Sequence, residues 1–161
     1  MSYRISRNIE SSLIDWIIEE LAEHGWSGIH VEKAVSEIYG GNYPAILINT
    51  LEIRPERLEV GSKTHLKYFT VNIRIFAEND GQRLDLSDWL LDKLENDINY
   101  YVYTITNGKI SSKTLSGRIV LTRWFDNRKE LTNTNPENIE EKDRYRHLLS
   151  FEVIVAECNC D

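Results

Sequence analysis

The sequence predicts an α+β fold, an antiparallel β-sheet with two helices packed on one face. Two segments, 11–24 and 84–98, keep helical hydrophobic spacing. The other apolar segments are β-prone and bounded by turn residues. The resulting order of helix, hairpin, helix, strand, strand, strand has no βαβ rhythm and no repeat.

In the first helix Leu13, Ile14, Trp16, Ile17, Ile18 and Leu21 recur at three- and four-residue steps, and Asp15, Glu19, Glu20 and Glu23 fill the other face. Ser11 or Ser12 is the expected N-cap and Gly25 the C-terminal stop. Residues 26–44 read as a short helix or an irregular connection, ending in the breaker Gly40-Gly41-Asn42-Tyr43-Pro44. A long antiparallel ribbon follows, 45–60 and 66–77, with Arg54-Pro55-Glu56-Arg57 interrupting or bending it and Gly61-Ser62-Lys63-Thr64 as its loop. Along the return strand Phe69, Val71, Ile73, Ile75 and Ala77 share one face.

The second helix is expected over 84–98 from Leu86, Trp89, Leu90, Leu94 and Ile98, with Asp85 or Ser87 as cap. Residues 100–105 and 118–125 are strand candidates, and Asn107-Gly108 is the strongest hairpin signal in the chain. Residues 126–146 are polar with nearly balanced charge and read as an excursion from the core. Within it, 127–144 is expected to be loose in a free subunit and ordered on assembly. Residues 147–157 close the fold; both faces are apolar, which marks a central strand. Trp16, Leu90 and Phe151 are expected where the helices meet the sheet. The whole chain, 1–161, is read as one domain.

The 161 residues are 41% hydrophobic, enough for a core, and no apolar run reaches the roughly 18 residues of a membrane helix. The first residues lead into no signal-like apolar stretch, and the mean hydropathy of -0.43 is that of a soluble protein. With 19 Lys+Arg against 26 Asp+Glu the net charge is -7, which argues against a general nucleic-acid binder. Cys158 and Cys160 close no useful loop and read as free thiols in a terminal tail.

The inventory for chemistry is thin. The sequence has no glycine-rich phosphate loop, HExxH or GxSxG. His24, His30, His65 and His147 lie in different segments, so no metal site is preset. His24 suits the helix C-terminus, His147 reads as a packing or surface residue, and Tyr100, Tyr101 and Tyr103 read as sheet packing rather than a base-stacking platform. No catalytic, cofactor-binding or metal-binding residue is assigned.

The layout nonetheless has a family likeness. The amphipathic helix leads to the strand Pro44-Ala-Ile-Leu-Ile and the charged hairpin Arg54-Pro-Glu-Arg-Leu-Glu-Val-Gly-Ser-Lys-Thr. The strand Tyr68-Phe-Thr-Val-Asn-Ile-Arg-Ile-Phe-Ala, the helix Leu86-Ser-Asp-Trp-Leu-Leu-Asp-Lys-Leu and the strand Leu149-Ser-Phe-Glu-Val-Ile-Val follow. This arrangement resembles the tail terminator proteins of long-tailed (siphovirus-type) bacteriophages over most of 11–125 and the last strand. It is a likeness of layout and texture, the family having no sharp motif.

The resemblance implies a non-enzymatic late protein of the virion, assembled in the host cytoplasm, with a tail-tube-like fold. It implies a homo-oligomeric ring, hexameric in that family, on the head-proximal end of the tail tube. The ring stops tube growth and docks the head connector, while DNA passes an acidic lumen without binding. The partners implied are the tail tube protein and the connector or neck protein, with no membrane and no cofactor. Candidate interface residues are Arg57, Lys63 and His65 at the ribbon loop, with Trp124, Arg128 and Lys129 where the polar excursion begins. The competing readings are a neck or tail-completion (head–tail joining) protein, a small intracellular enzyme, and a ligand-binding module.

Overall fold

A computed structural model describes residues 4–57, 65–130 and 145–157, with His65 and Glu157 described by their backbone only. Its elements are α1 (Ile5–Glu23), β1 (His30–Glu32), α2 (Val35–Tyr39), β2 (Ala45–Arg57), β3 (His65–Phe76), α3 (Asp80–Leu94), β4 (Ile98–Thr106), β5 (Lys109–Lys129) and β6 (Arg146–Glu157). The strands form one six-stranded sheet in the order β1-β2-β3-β6-β5-β4. All neighbours are antiparallel except the short β1, which runs parallel to β2. The α+β class is as expected, and the last strand is indeed central, paired with β3 on one side and β5 on the other.

Strand alternation assigns the two faces. Ile46 and Ile48 stand beside Ile75 and Ile73, which stand beside His147 and Leu149, so one face is a continuous apolar ladder. Onto it pack Ile9, Leu13, Ile17 and Leu21 of α1 and Leu86, Leu90 and Leu94 of α3. Each of these helical sets repeats at four-residue steps, so each lies along one stripe of its helix. The other face carries Ala45, Leu47 and Phe76, covered by Ile38 of α2 and by Tyr43. Beyond that patch the outer face is polar, with Asn72, Ser150 and Glu152 shielded to under a tenth of their surface.

Several sequence expectations need correction. Helix α1 begins at Ile5, six residues before the expected cap, and Ser11 and Ser12 lie buried in mid-helix. Neither hydroxyl caps the helix: Ser11 Oγ accepts from Lys33 Nζ at 3.3 Å and Ser12 Oγ from the Tyr101 amide at 2.9 Å. Residues 26–44 hold both a short strand and a short helix. Arg54-Pro55 does not interrupt β2; the irregularity falls earlier, between Thr50 and Glu52, and pairing resumes through Arg57. Proline is tolerated there because the outer side of that stretch carries no neighbouring strand among the described residues.

Helix α3 starts at Asp80, capped by the Asn79 side chain accepting from Gln82 N at 2.8 Å, so Asp85 and Ser87 are interior. It ends at Leu94, and Ile98 opens β4 instead of closing the helix. Asn107 and Gly108 both take positive φ, 52° and 78°, as an Asn-Gly hairpin requires. Strand β5 outruns the expected 118–125 at both ends. Asp126 to Lys129 pair with Ser150 to His147, so the polar character of 126–129 is that of a sheet strand facing partners, not of an excursion. Leu90 and Phe151 are fully buried as expected, whereas Trp16 is half-buried at the rim of the core.

Candidate functional site

Helix α1 closes the sheet. Its polar residues Asn8, Ser12 and Asp15 fall at i, i+4 and i+7, hence on one side of the helix, and that side meets the edge strand β4. The Tyr101 amide donates to Ser12 Oγ at 2.9 Å and the Tyr103 amide to Asn8 Oδ1 at 3.5 Å. Asn8 Nδ2 also donates to the Tyr100 hydroxyl at 3.3 Å. On the opposite side of the sheet β1 pairs with only the first residues of β2, and there the Thr50 amide donates to Glu10 Oε2 at 3.1 Å. One helix therefore supplies acceptors to both open flanks, and the sheet curls round it. Edge amides left bare invite pairing with another chain; here those of Thr50, Tyr101 and Tyr103 are satisfied by α1.

At the far end of that seam Asp15 Oδ2 accepts from the Tyr103 hydroxyl and from Lys113 Nζ, each at 2.9 Å, and Lys113 lies over the Tyr101 ring. Burial, then the Asp15 contact, pushes the Tyr103 hydroxyl well above the ordinary tyrosine range, so it stays a protonated donor. The same carboxylate holds Lys113 firmly charged.

A second polar cluster joins α3, β5 and β6. Arg83 Nε donates to Asp80 Oδ1 at 2.8 Å, and Lys129 Nζ reaches the same oxygen at 3.2 Å. Arg83 Nη1 stands 2.7 Å from His147 Nδ1, and His147 Nε2 stands 2.6 Å from Asn127 Oδ1. Arg83 and His147 are 7% and 6% exposed, so this contact lies away from solvent. The Asp80 carboxyl is held below its usual range by Arg83 and then Lys129. Beside the cluster Glu130 bridges Arg74 at 3.2 Å and Arg146 at 2.9 Å.

On the outer face Glu152 accepts from Arg54 at 3.0 Å and from the Thr122 hydroxyl at 3.1 Å. Glu20, Glu23 and His24 gather near the end of α1 with ligand atoms within 4.8 Å. Lys93 already occupies Glu20 at 3.1 Å and His24 Nδ1 lies 3.0 Å from the Glu20 carbonyl, so this is an ion-paired helix end, with His24 at the helix C-terminus as the sequence suggests.

The sequence-derived interface residues fall in three places. Arg57 ends β2, exposed, opposite His65, whose side chain lies outside the described residues together with Lys63. Trp124 meets Phe151 edge-on at 5.2 Å and so packs against the core. Arg128 pairs with Asp126 at the surface, and Lys129 serves the Asp80 cluster and lies over the Tyr145 ring. The structure thus brings Lys129 to a network and leaves Arg57 and Arg128 at the surface. Of the stretch 127–144 expected to be loose in a free subunit, 127–129 are instead paired with β6 in the single chain, while residues 131–144, with the rest of that expectation, and the cysteine tail lie outside the described residues.

Sequence reasoning missed the exposed apolar residues on the two hairpins. Leu51 and Ile53 of β2 are 61% and 50% exposed, and Ile110 and Leu115 of β5 are 48% and 56% exposed. The usable signal was the unbroken alternation Leu51-Glu52-Ile53-Arg54, which continues a strand past the point where any helix is available to cover it.

No protein-family model matches the chain, and no curated protein is significantly similar to it. Among the described residues no helix is long and apolar enough to cross a membrane.

Proposed function

We propose that this chain is a non-enzymatic ring subunit that caps the head-proximal end of a bacteriophage tail tube, ends tube growth and offers the docking surface for the head connector. The observation that carries the reading is the pair of hairpin arms. Strands β2–β3 and β4–β5 are anchored at their roots under α1 and α3; Leu51, Ile53 and Ile110 stand in the open on their outer halves, and Leu115 stands in the open opposite Tyr101, nearer the root. Exposed apolar residues on rigidly rooted strands suit contacts with neighbouring copies and with the tube. The buried polar clusters satisfy one another, which fits a part that holds shape rather than one that turns over substrate. A net charge of -7 suits a lumen that DNA must traverse without adhering.

The test is electron microscopy of tails assembled without this protein. Overlong, headless tubes support the terminator. Tubes of normal length that fail to join heads support the neck, or tail-completion, role. Unaffected particles remove both and leave the enzyme and ligand-binding readings.

A further inference from the structure

The circuit at the base of α3 has a direction. A guanidinium only donates hydrogen bonds, so His147 Nδ1, 2.7 Å from Arg83 Nη1, must present a bare lone pair. The ring proton then sits on Nε2, where Asn127 Oδ1 accepts it at 2.6 Å. Arg83 is fixed from its other side by Asp80, which Lys129 also holds. Lys129 and Arg83 both donate to Asp80, and from Arg83 the donors run on through His147 to Asn127, so the contacts leave β5 at Lys129, cross α3 and β6, and return to β5 at Asn127. The circuit stitches three elements together, and it closes only while His147 is neutral.

We propose that the Arg83–His147 contact is a proton-operated latch. With His147 neutral it pins the first turn of α3 to the start of β6; with His147 protonated that turn is released. A proton on Nδ1 points at an N–H of Arg83 and sets two cations in hydrogen-bond contact, nearly out of reach of water. The charged groups around the ring do not cancel this. On α3, Asp80 is already shared by Arg83 and Lys129, and Asp88 acts on the ring only through space. From β5 come Asn127 and Lys129, and just beyond β5 Glu130 is committed to Arg74 of β3 and Arg146 of β6. The neighbour on β3 is Ile75, which is apolar. Burial, and then Arg83, hold the imidazole below its ordinary proton affinity.

Release is local because the rest of α3 is held otherwise. Leu86, Leu90 and Leu94 lie in the core, whereas the first turn has the Asn79 cap, the Glu78 amide on Gln82 Oε1, the solvent-exposed Lys129–Asp80 ion pair and this latch. The latch stands where β5 ends and β6 begins, at the root of the polar connection between them. The inference rests on this geometry and not on the tail-terminator reading.

Imidazole nitrogen NMR and amide hydrogen exchange on the full chain, titrated from about pH 8 to about pH 5 across the ordinary histidine range, test it. The expected result is an Nε2–H tautomer for His147 at neutral pH. Amides of 82–84, the first of α3 that are hydrogen-bonded, should then lose about tenfold in protection for each pKa unit by which release favours protonation, after correction for intrinsic exchange. Amides in β3 and β6 should keep theirs. In His147→Gln, which cannot be protonated, protection of 82–84 should not respond to pH. An Nδ1–H tautomer at neutral pH, or protonation of His147 with protection of 82–84 unchanged, overturns the latch.

Discussion

The inner and outer halves of β2 are one strand in two environments. Ala45 to Ile48 are wholly buried, sandwiched between the α1–α3 layer and α2, while Leu51 to Arg57 are exposed throughout. The change comes at Thr50, where pairing is irregular and Glu10 of α1 takes the backbone amide. Backbone pairing with β3 continues unchanged in kind on both sides of that point. What differs is the cover, and the cover is a helix of fixed length. A strand that outlasts its helix becomes an arm, with stability supplied at the root and side chains at the tip free for contact. The β4–β5 hairpin repeats the division only in part: Ile98, Tyr100 and Ile119 are buried at its root and Ile110 is exposed near its turn, but Leu115, opposite Tyr101, is exposed while Tyr103, farther out under α1, is buried.

If this division is right, root and arm substitutions separate stability from assembly. The largest effect is expected for Leu13→Ala, at the centre of the covered root, which should cost about 2–5 kcal/mol in chemical denaturation. Trp16→Ala, at the rim, should cost less than the roughly 3–5 kcal/mol of a fully buried tryptophan. Ser12→Ala leaves the Tyr101 amide without its acceptor and should cost about 1–3 kcal/mol. A neutral result would mean that water replaces the hydroxyl and that α1 does not seal β4.

The root should also be acid-sensitive where the arms are not. His147 binds its proton more weakly folded than unfolded, so the unfolded chain takes up the proton first as pH falls. The associated stability is complete above the ordinary histidine pKa of about 6.5 and is lost progressively below it. Urea midpoints across that window should decline more in the wild type than in His147→Gln.

The smallest stability effects belong to the arms. Ile53→Asp, Leu115→Asp and Arg57→Glu should each stay within about 0.5 kcal/mol of the parent. On the proposed function they should nonetheless impair capping of tail tubes or joining to heads. Intact joining by stable arm variants would show that the arms are not the contact surface.

Legibility in the sequence followed how local each cause was. The Asn107-Gly108 turn was readable because two residues with positive φ decide it. The central position of β6 was readable because alternation showed two apolar faces, and only an interior strand needs both. The start of α1 was not: Ser11 and Ser12 are good caps in isolation, and only the arrival of β1 and β4 alongside turned them into buried mid-helix acceptors. The same holds for Asn79 over Asp85 or Ser87, since each can cap and packing chose the frame. The circuit around the buried Arg83–His147 contact had no sequence signature at all, because Asp80, Arg83, Asn127, Lys129 and His147 come from three separated segments.

By itself, then, the sequence determined the α+β class, the two amphipathic helices, the hairpins and the apolar ladder, since periodicity and turn chemistry act over a few residues. Tertiary structure decided which strands are neighbours, where the helices stop covering them, and which polar groups meet. Those outcomes depend on contacts between residues up to about a hundred positions apart, as when Arg54 meets Glu152 across 98. No local pattern encodes such a contact, because its free energy exists only once both elements are docked on the same sheet.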